Sequence, residues 1–237
     1  MPQPTPDIDA LTKLHGPNRA ESLFPPLLVG LASLLLALGF IHLGSEMVEG
    51  DTLSVDRHIL QIAQALRVAH PWIAGAMRDL SGLGSTVVLT LFTASTVGYL
   101  ALVSKRTMAL LVAVSVATGS VLVSTFKLGF GRLRPDSVFS DYVASGLSFP
   151  SGHASMSAIV FLTLGVLVAS KRERWSEGAY ILAVSTVLTL LVGVSRILLG
   201  VHWASDVVGG WAFGTAWAMA WLLLARRLAA DRGPAIG

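Results

Sequence analysis

The chain is predicted to be all-α: an integral membrane bundle of six transmembrane helices, with a short interfacial helix between the first and second. Three observations carry this prediction. Hydrophobic types make up 53% of the 237 residues and charged types only 13%, about half the roughly 25% charged residues of a soluble domain. Six predominantly apolar runs reach the length of about 20 residues that a helix needs to cross a bilayer. Most of the Lys and Arg residues fall between or beside those runs.

The runs lie near 23–43, 83–104, 107–126, 151–170, 178–198 and 203–225. The first has an apolar stretch from Pro25 to Ile41 and no small-residue cleavage site before Glu46; it is too long for a signal peptide and reads as a retained helix. After it, Ile59, Ile62, Ala63 and Leu66 recur at helical spacing opposite Arg57, Gln61, Gln64 and Arg67. That pattern suits a helix lying in the headgroup layer; an extramembrane connector is the other reading. Lys105 and Arg106 separate the second and third runs, and Lys171, Arg172 and Arg174 stand between the fourth and fifth. Trp203, at the start of the sixth, is either an interfacial anchor or apolar bulk, whereas Trp211 and Trp217 read as lipid-facing bulk. Residues 1–21, rich in Pro and polar types, are expected to be a mobile tail; 22–227 form one domain, and 228–237 a C-terminal tail. Cysteine is absent, which removes disulfides and thiolate metal ligands but leaves the compartment open.

Orientation follows from the basic residues. Ten Lys and Arg fall on the side of the termini and seven on the other. Three of those seven belong to the chemical clusters described next, so the contrast that sets topology is nearer ten against four. Both termini are therefore expected in the cytoplasm, and the clusters at the outer ends of spans three to six.

In the first cluster, Lys127 ends an apolar run and Arg134 follows across Gly129-Phe130-Gly131. Arg offers a planar fork to phosphate oxygens and Lys a point charge; snorkelling of both to the headgroups is the plainer alternative. In the second, Pro150-Ser151-Gly152-His153 precedes an apolar run and should open a helix. Its free N–H groups and dipole suit an anion, Gly152 permits close approach, and His153 can exchange a proton. Simple helix capping would also explain that turn. In the third, Arg196 interrupts an apolar run and needs a partner or a boundary position. His202 and Asp206, four residues apart, share a helical face, so the carboxylate can hold one ring nitrogen and free the other to attack. Capping of the sixth helix by Asp206 is the structural alternative.

Taken in order, Lys127-x6-Arg134-Pro135, Pro150-Ser151-Gly152-His153 and Ser195-Arg196-x5-His202-x3-Asp206 resemble the three-part signature of the type 2 phosphatidic acid phosphatase family. In appearance the chain is similar to that family's small bacterial phosphatidylglycerophosphate and undecaprenyl-pyrophosphate phosphatases. The resemblance implies His202 as the nucleophile that forms a phosphohistidine, Asp206 as its orienting partner and His153 as the proton donor to the leaving group. It implies Lys127, Arg134, Arg196, the Ser151 hydroxyl and the Ser151-Gly152 backbone as the phosphate-binding groups. No metal and no cofactor are expected, since three cations neutralise the phosphate and no carboxylate cluster suited to Mg²⁺ accompanies the motifs.

The expected protein is a lipid phosphatase of the bacterial inner membrane with an extracytoplasmic active site. Its partners would be a phosphorylated lipid and the bilayer, with no nucleic acid. A phosphotransferase on the same scaffold, or a non-catalytic anionic-lipid binder or transporter, remains an alternative. The histidine pair argues against the binder, because binding needs cations but neither a nucleophile nor an acid. Asp136, Asp141 and Tyr142, before the second motif, read as solvated loop residues.

Overall fold

A computed structural model describes residues 19–140 and 145–230, with side chains over 25–140 and 145–228. The described residues are all-helical, with no strand. In chain order the helices are α1 (Arg19–Glu49), α2 (Leu53–Ala69), α3 (Trp72–Gly82), α4 (Thr86–Leu102), α5 (Arg106–Phe130), α6 (Gly152–Ala169), α7 (Trp175–Leu198) and α8 (Ala204–Ala230). Six spans are long and apolar enough to cross a membrane, with α3 and α4 together forming the second. Where the predicted tails are described, at 19–21 and 228–230, they continue α1 and α8. Their remaining residues, with Asp141 and Tyr142, lie outside the described residues.

The second span begins at Trp72 rather than near 83. Arg78 and Asp79 break the apolar run there, yet both are exposed on α3, so the helix tolerates them. At the junction with α4, the Ser85 side chain accepts the Val88 N–H at 3.3 Å, a cap that restarts the helix after Leu83 and Gly84.

Helix α2 also differs from its expected faces. The stripe that packs on the protein is Asp56, Leu60, Ala63 and Arg67, whereas Ile62 and Leu66 are exposed. Arg67, expected on the polar side, is buried because its guanidinium donates to Leu198 O and Phe139 O. Gln64 adds a bond to Val138 O at 2.9 Å. The outward apolar pair is what a helix in the headgroup layer would offer to lipid.

Helix α8 runs through the middle of the bundle, in contact with α1, α5, α6 and α7. Trp211 and Trp217 are not lipid-facing bulk. Their indoles turn inward and donate to Thr189 O at 3.1 Å and Ser115 O at 3.0 Å, because a tryptophan N–H in an apolar layer needs an acceptor. Helix α1 instead turns Leu27, Leu31, Leu34 and Leu38 outward. The main core is a phenylalanine cluster of Phe40, Phe149 and Phe213 with Val123 and Ile159. Phe149 is fully buried; it stacks on Phe40 at 5.5 Å and meets Phe130 edge-on at 4.9 Å. As the residue before Pro150, it anchors the turn that carries the second motif.

Candidate active site

The three motifs occupy one end of the bundle. Helix α5 extends through Lys127 to Phe130 and stops at Gly131, whose φ of 64° is the left-handed conformation that ends helices. The chain then turns back, with Arg132 O accepting the Ser148 N–H at 2.8 Å. Residues 132–134 and 145–148 are thereby brought alongside each other. Helix α7 ends at Leu198, and Gly200, at φ 73°, lets the chain double back toward α8. A methyl group at Gly200 would collide with Phe139 O, so the turn that delivers His202 requires glycine.

His202 is 1% exposed and Asp206 is fully buried. Nδ1 of His202 lies 3.1 Å from Asp206 Oδ2, and Nε2 lies 3.0 Å from Arg134 Nη1. Arginine can only donate, so Nε2 is the acceptor and Nδ1 carries the proton. Both neighbours therefore specify the same tautomer, with the Nε2 lone pair pointing toward the cations. Burial is the largest influence on the His202 pKa. Asp206 opposes it and Arg134 and Lys127 reinforce it, giving about 4. At neutral pH the imidazole is uncharged, as a nucleophile must be.

Arg134 also donates to Val201 O at 2.8 Å, and through Nε to Ser145 O and Gly146 O at 3.1 Å. Burial lowers its pKa, with Asp206 acting the other way, and arginine stays protonated in proteins. Lys127 Nζ donates to Leu147 O at 2.8 Å and Ser148 O at 3.2 Å. Arg196 Nη1 donates to Ser81 Oγ of α3 at 2.6 Å. His153 stands in the first turn of α6 with its ring beside Gly84, within electrostatic reach of Arg196, His202, Arg134 and Lys127. Lys127, Arg134, Arg196 and His202 are thus all gathered around His153 at this end of the bundle.

Ser151 is placed differently in detail. It is fully buried and caps α6, its Oγ 3.5 Å from the Ala154 N–H. Its own N–H donates to Asp206 O at 2.9 Å. The expectation that the Ser151 backbone faces phosphate is therefore corrected: that donor ties α6 to α8. Gly152 and His153 hold the first free N–H positions of the helix.

Ser148, Arg132, Asp56 and Ser205 are among the residues of this neighbourhood that escaped the sequence reading. Ser148 donates through Oγ to Asp206 Oδ2, which also accepts the Trp203 N–H at 2.9 Å. Arg132 Nη1 reaches Asp206 Oδ1 at 2.7 Å, and its Nη2 reaches Asp56 Oδ2 at 2.7 Å. Ser205 accepts from Arg132 at 2.7 Å and donates to Asp56 at 2.5 Å. Trp203 flanks the Arg132 guanidinium at 5.4 Å and anchors its indole on Leu133 O. A signal for Arg132 existed, since it is a third cation between Lys127 and Arg134. Asp56, distant in sequence and with no motif around it, offered none.

A family model described as the PAP2 superfamily matches residues 108–229, which contain all three motifs. The chain belongs to the PAP2 superfamily. It is 31% identical to phosphatidylglycerophosphatase B of Bacillus subtilis over 76% of this chain and 87% of that protein. Over 49% of this chain and 55% of the relative, it is 32% identical to an undecaprenyl-diphosphatase of Sulfolobus acidocaldarius. Its fold matches the crystal structure of a transmembrane PAP2 type phosphatidylglycerolphosphate phosphatase from Bacillus subtilis with a TM-score of 0.74. That match covers 86% of this chain and 98% of the other, at 25% identity. The chain is an integral membrane PAP2 phosphatase.

Proposed function

We propose that this PAP2 enzyme removes a phosphoryl group from a lipid phosphomonoester or diphosphate through a phosphohistidine on His202. The observation that carries this reading is the pair of contacts on the His202 ring: Asp206 Oδ2 stands at Nδ1 and the Arg134 guanidinium at Nε2, an arrangement that leaves the Nε2 lone pair facing a cation. In the first step Nε2 attacks phosphorus and forms an N–P bond. The bond to the leaving oxygen breaks, its electron pair stays on that oxygen, and His153 supplies the proton. Asp206 supports the imidazolium that results. In the second step water attacks phosphorus and gives a proton to His153. The N–P bond breaks, and its electrons return to Nε2. Lys127, Arg134, Arg196 and the Gly152 end of α6 hold the equatorial oxygens, where charge gathers in the transition state. Ser151 contributes by capping that helix end.

The substrates proposed are phosphatidylglycerophosphate, phosphatidic acid and undecaprenyl diphosphate, in keeping with the names of the relatives. The site would face the extracytoplasmic side of a bacterial inner membrane, with both termini cytoplasmic, in keeping with the distribution of basic residues. Hydrolysis of these three lipids in detergent with EDTA present tests the reading. Activity should survive chelation and fall at least about 1,000-fold in His202→Ala, with a comparable loss in His153→Ala for an alkoxide leaving group. Full activity of His202→Ala would remove the nucleophile assignment, and loss on chelation would remove the metal-free one. Release of free phosphate, rather than labelling of an added alcohol, distinguishes hydrolysis from transfer.

A further inference from the structure

Beneath His202 lies a row of buried charges, of which the reaction steps above use only Asp206. Asp206 is fully buried and Asp56 is 2% exposed. Arg132 joins them, with its side chain 10% exposed and one nitrogen on each carboxylate at 2.7 Å. Asp56 comes from α2, far from the motifs in sequence. Its Oδ1 accepts the Ser205 N–H at 2.9 Å, and its Oδ2 accepts from Ser205 Oγ and Arg132. The signs alternate along the row: a cation forming on His202, then Asp206, Arg132 and Asp56.

This alternation has an electrostatic consequence. Arg132 alone would draw Asp206 toward itself and weaken the carboxylate's hold on the imidazole. A second carboxylate on the far side of Arg132 offsets that pull, and in a buried setting the offset is little screened. We propose that Asp56 is a positioning residue of the reaction: by balancing Arg132, it keeps Asp206 available to orient His202 and to stabilise the cation formed there. This inference rests on the phosphohistidine reading. It adds that the helix between the first two spans reaches beneath the nucleophile.

The test compares Asp56→Asn, isosteric but uncharged, and Asp56→Glu, charged, with the wild-type enzyme. His202→Ala serves as a reference. In Asp56→Asn, kcat should fall on the order of 10- to 100-fold, the scale expected of a partner one step removed from the reacting group. KM should change by less than about threefold, since no phosphate contact is lost. At neutral pH, the ring-nitrogen NMR shifts of His202, assigned by their absence in His202→Ala, should move away from the Nδ1–H tautomer. The groups facing that ring, Asp206, Arg134, Lys127 and His153, are all retained in the variant. Asp56→Glu should keep more kcat than Asp56→Asn.

In an Arg132→Met background the Asp56→Asn change should have little further effect, because no charge is left to balance. Unchanged kcat in Asp56→Asn, or reduced kcat with unmoved His202 shifts, overturns the proposal. An active His202→Ala overturns the underlying reading instead. If Asp56→Asn does not fold, Ser205→Ala, which loosens Asp56 from Arg132 with every charge kept, must move both kcat and the shifts in the same direction. If neither moves, the proposal fails.

Discussion

His202 shows how a residue's surroundings decide its chemistry. A free imidazole titrates near pH 6.5, but burial and two neighbouring cations carry this one down to about 4. A depressed histidine pKa means that the unfolded chain takes up the proton first. Between about pH 6.5 and pH 4 the folded state binds fewer protons, so this group's contribution to stability declines as pH falls through that window. The His202 ring resonance should therefore titrate with a midpoint near 4 and stay flat between pH 7 and 6. A midpoint at 6.5 would mean that the pocket does not hold the imidazole as described. Loss of rate on mild acidification to pH 6 should arise from groups other than this one. His202, His153, Asp206 and the three cations were legible in the sequence because their spacings repeat a known signature. Asp56, Ser148 and Ser81 were not, since each acts through contacts made by chain segments distant in sequence.

At the scale of elements, the six spans were readable from apolar length, and the start of the second was not. Arg78 and Asp79 make α3 look like loop, whereas both side chains stay exposed and the helix runs on past them to Ser81, its one buried residue. The faces of α2 were misassigned for a related reason. Helical periodicity marks an apolar stripe, but it cannot show that Arg67 will find two backbone carbonyls to satisfy it. Those bonds link α2 to the end of α7 and to the short turn Ser137–Phe139. The same junction holds Gly200, where Gly200→Ala should cost at least about 1–3 kcal/mol from the strained φ alone, with the collision at Phe139 O in addition. The expected outcome is a lower thermal midpoint together with loss of turnover, because the displaced turn carries His202. A variant of wild-type stability and rate would show that the turn relaxes freely. Phe149→Ala should destabilise by about 3–5 kcal/mol, as loss of a fully buried aromatic does, and should loosen the Pro150 turn. Chemical or thermal unfolding in detergent would measure it.

For the whole molecule, orientation can be tested directly because the natural chain has no cysteine. Single substitutions Ser137→Cys and Lys171→Cys should react with a membrane-impermeant maleimide from opposite sides, with Ser137→Cys labelled from outside intact cells. Labelling of both from one side would contradict the bundle, and labelling of Ser137→Cys only after lysis would reverse the proposed face. The positive-inside contrast was visible in the sequence, whereas the convergence of α2, α5, α6, α7 and α8 on one imidazole needed coordinates. On the proposed mechanism, the guanidinium resting on His202 Nε2 would discriminate among reagents as well as substrates. A neutral electrophile would meet a lone pair already engaged, whereas an anion would draw the guanidinium onto itself and uncover the nitrogen. A preference for negative charge would then follow from the proposed nucleophile's own hydrogen bond, ahead of any contact with a lipid tail.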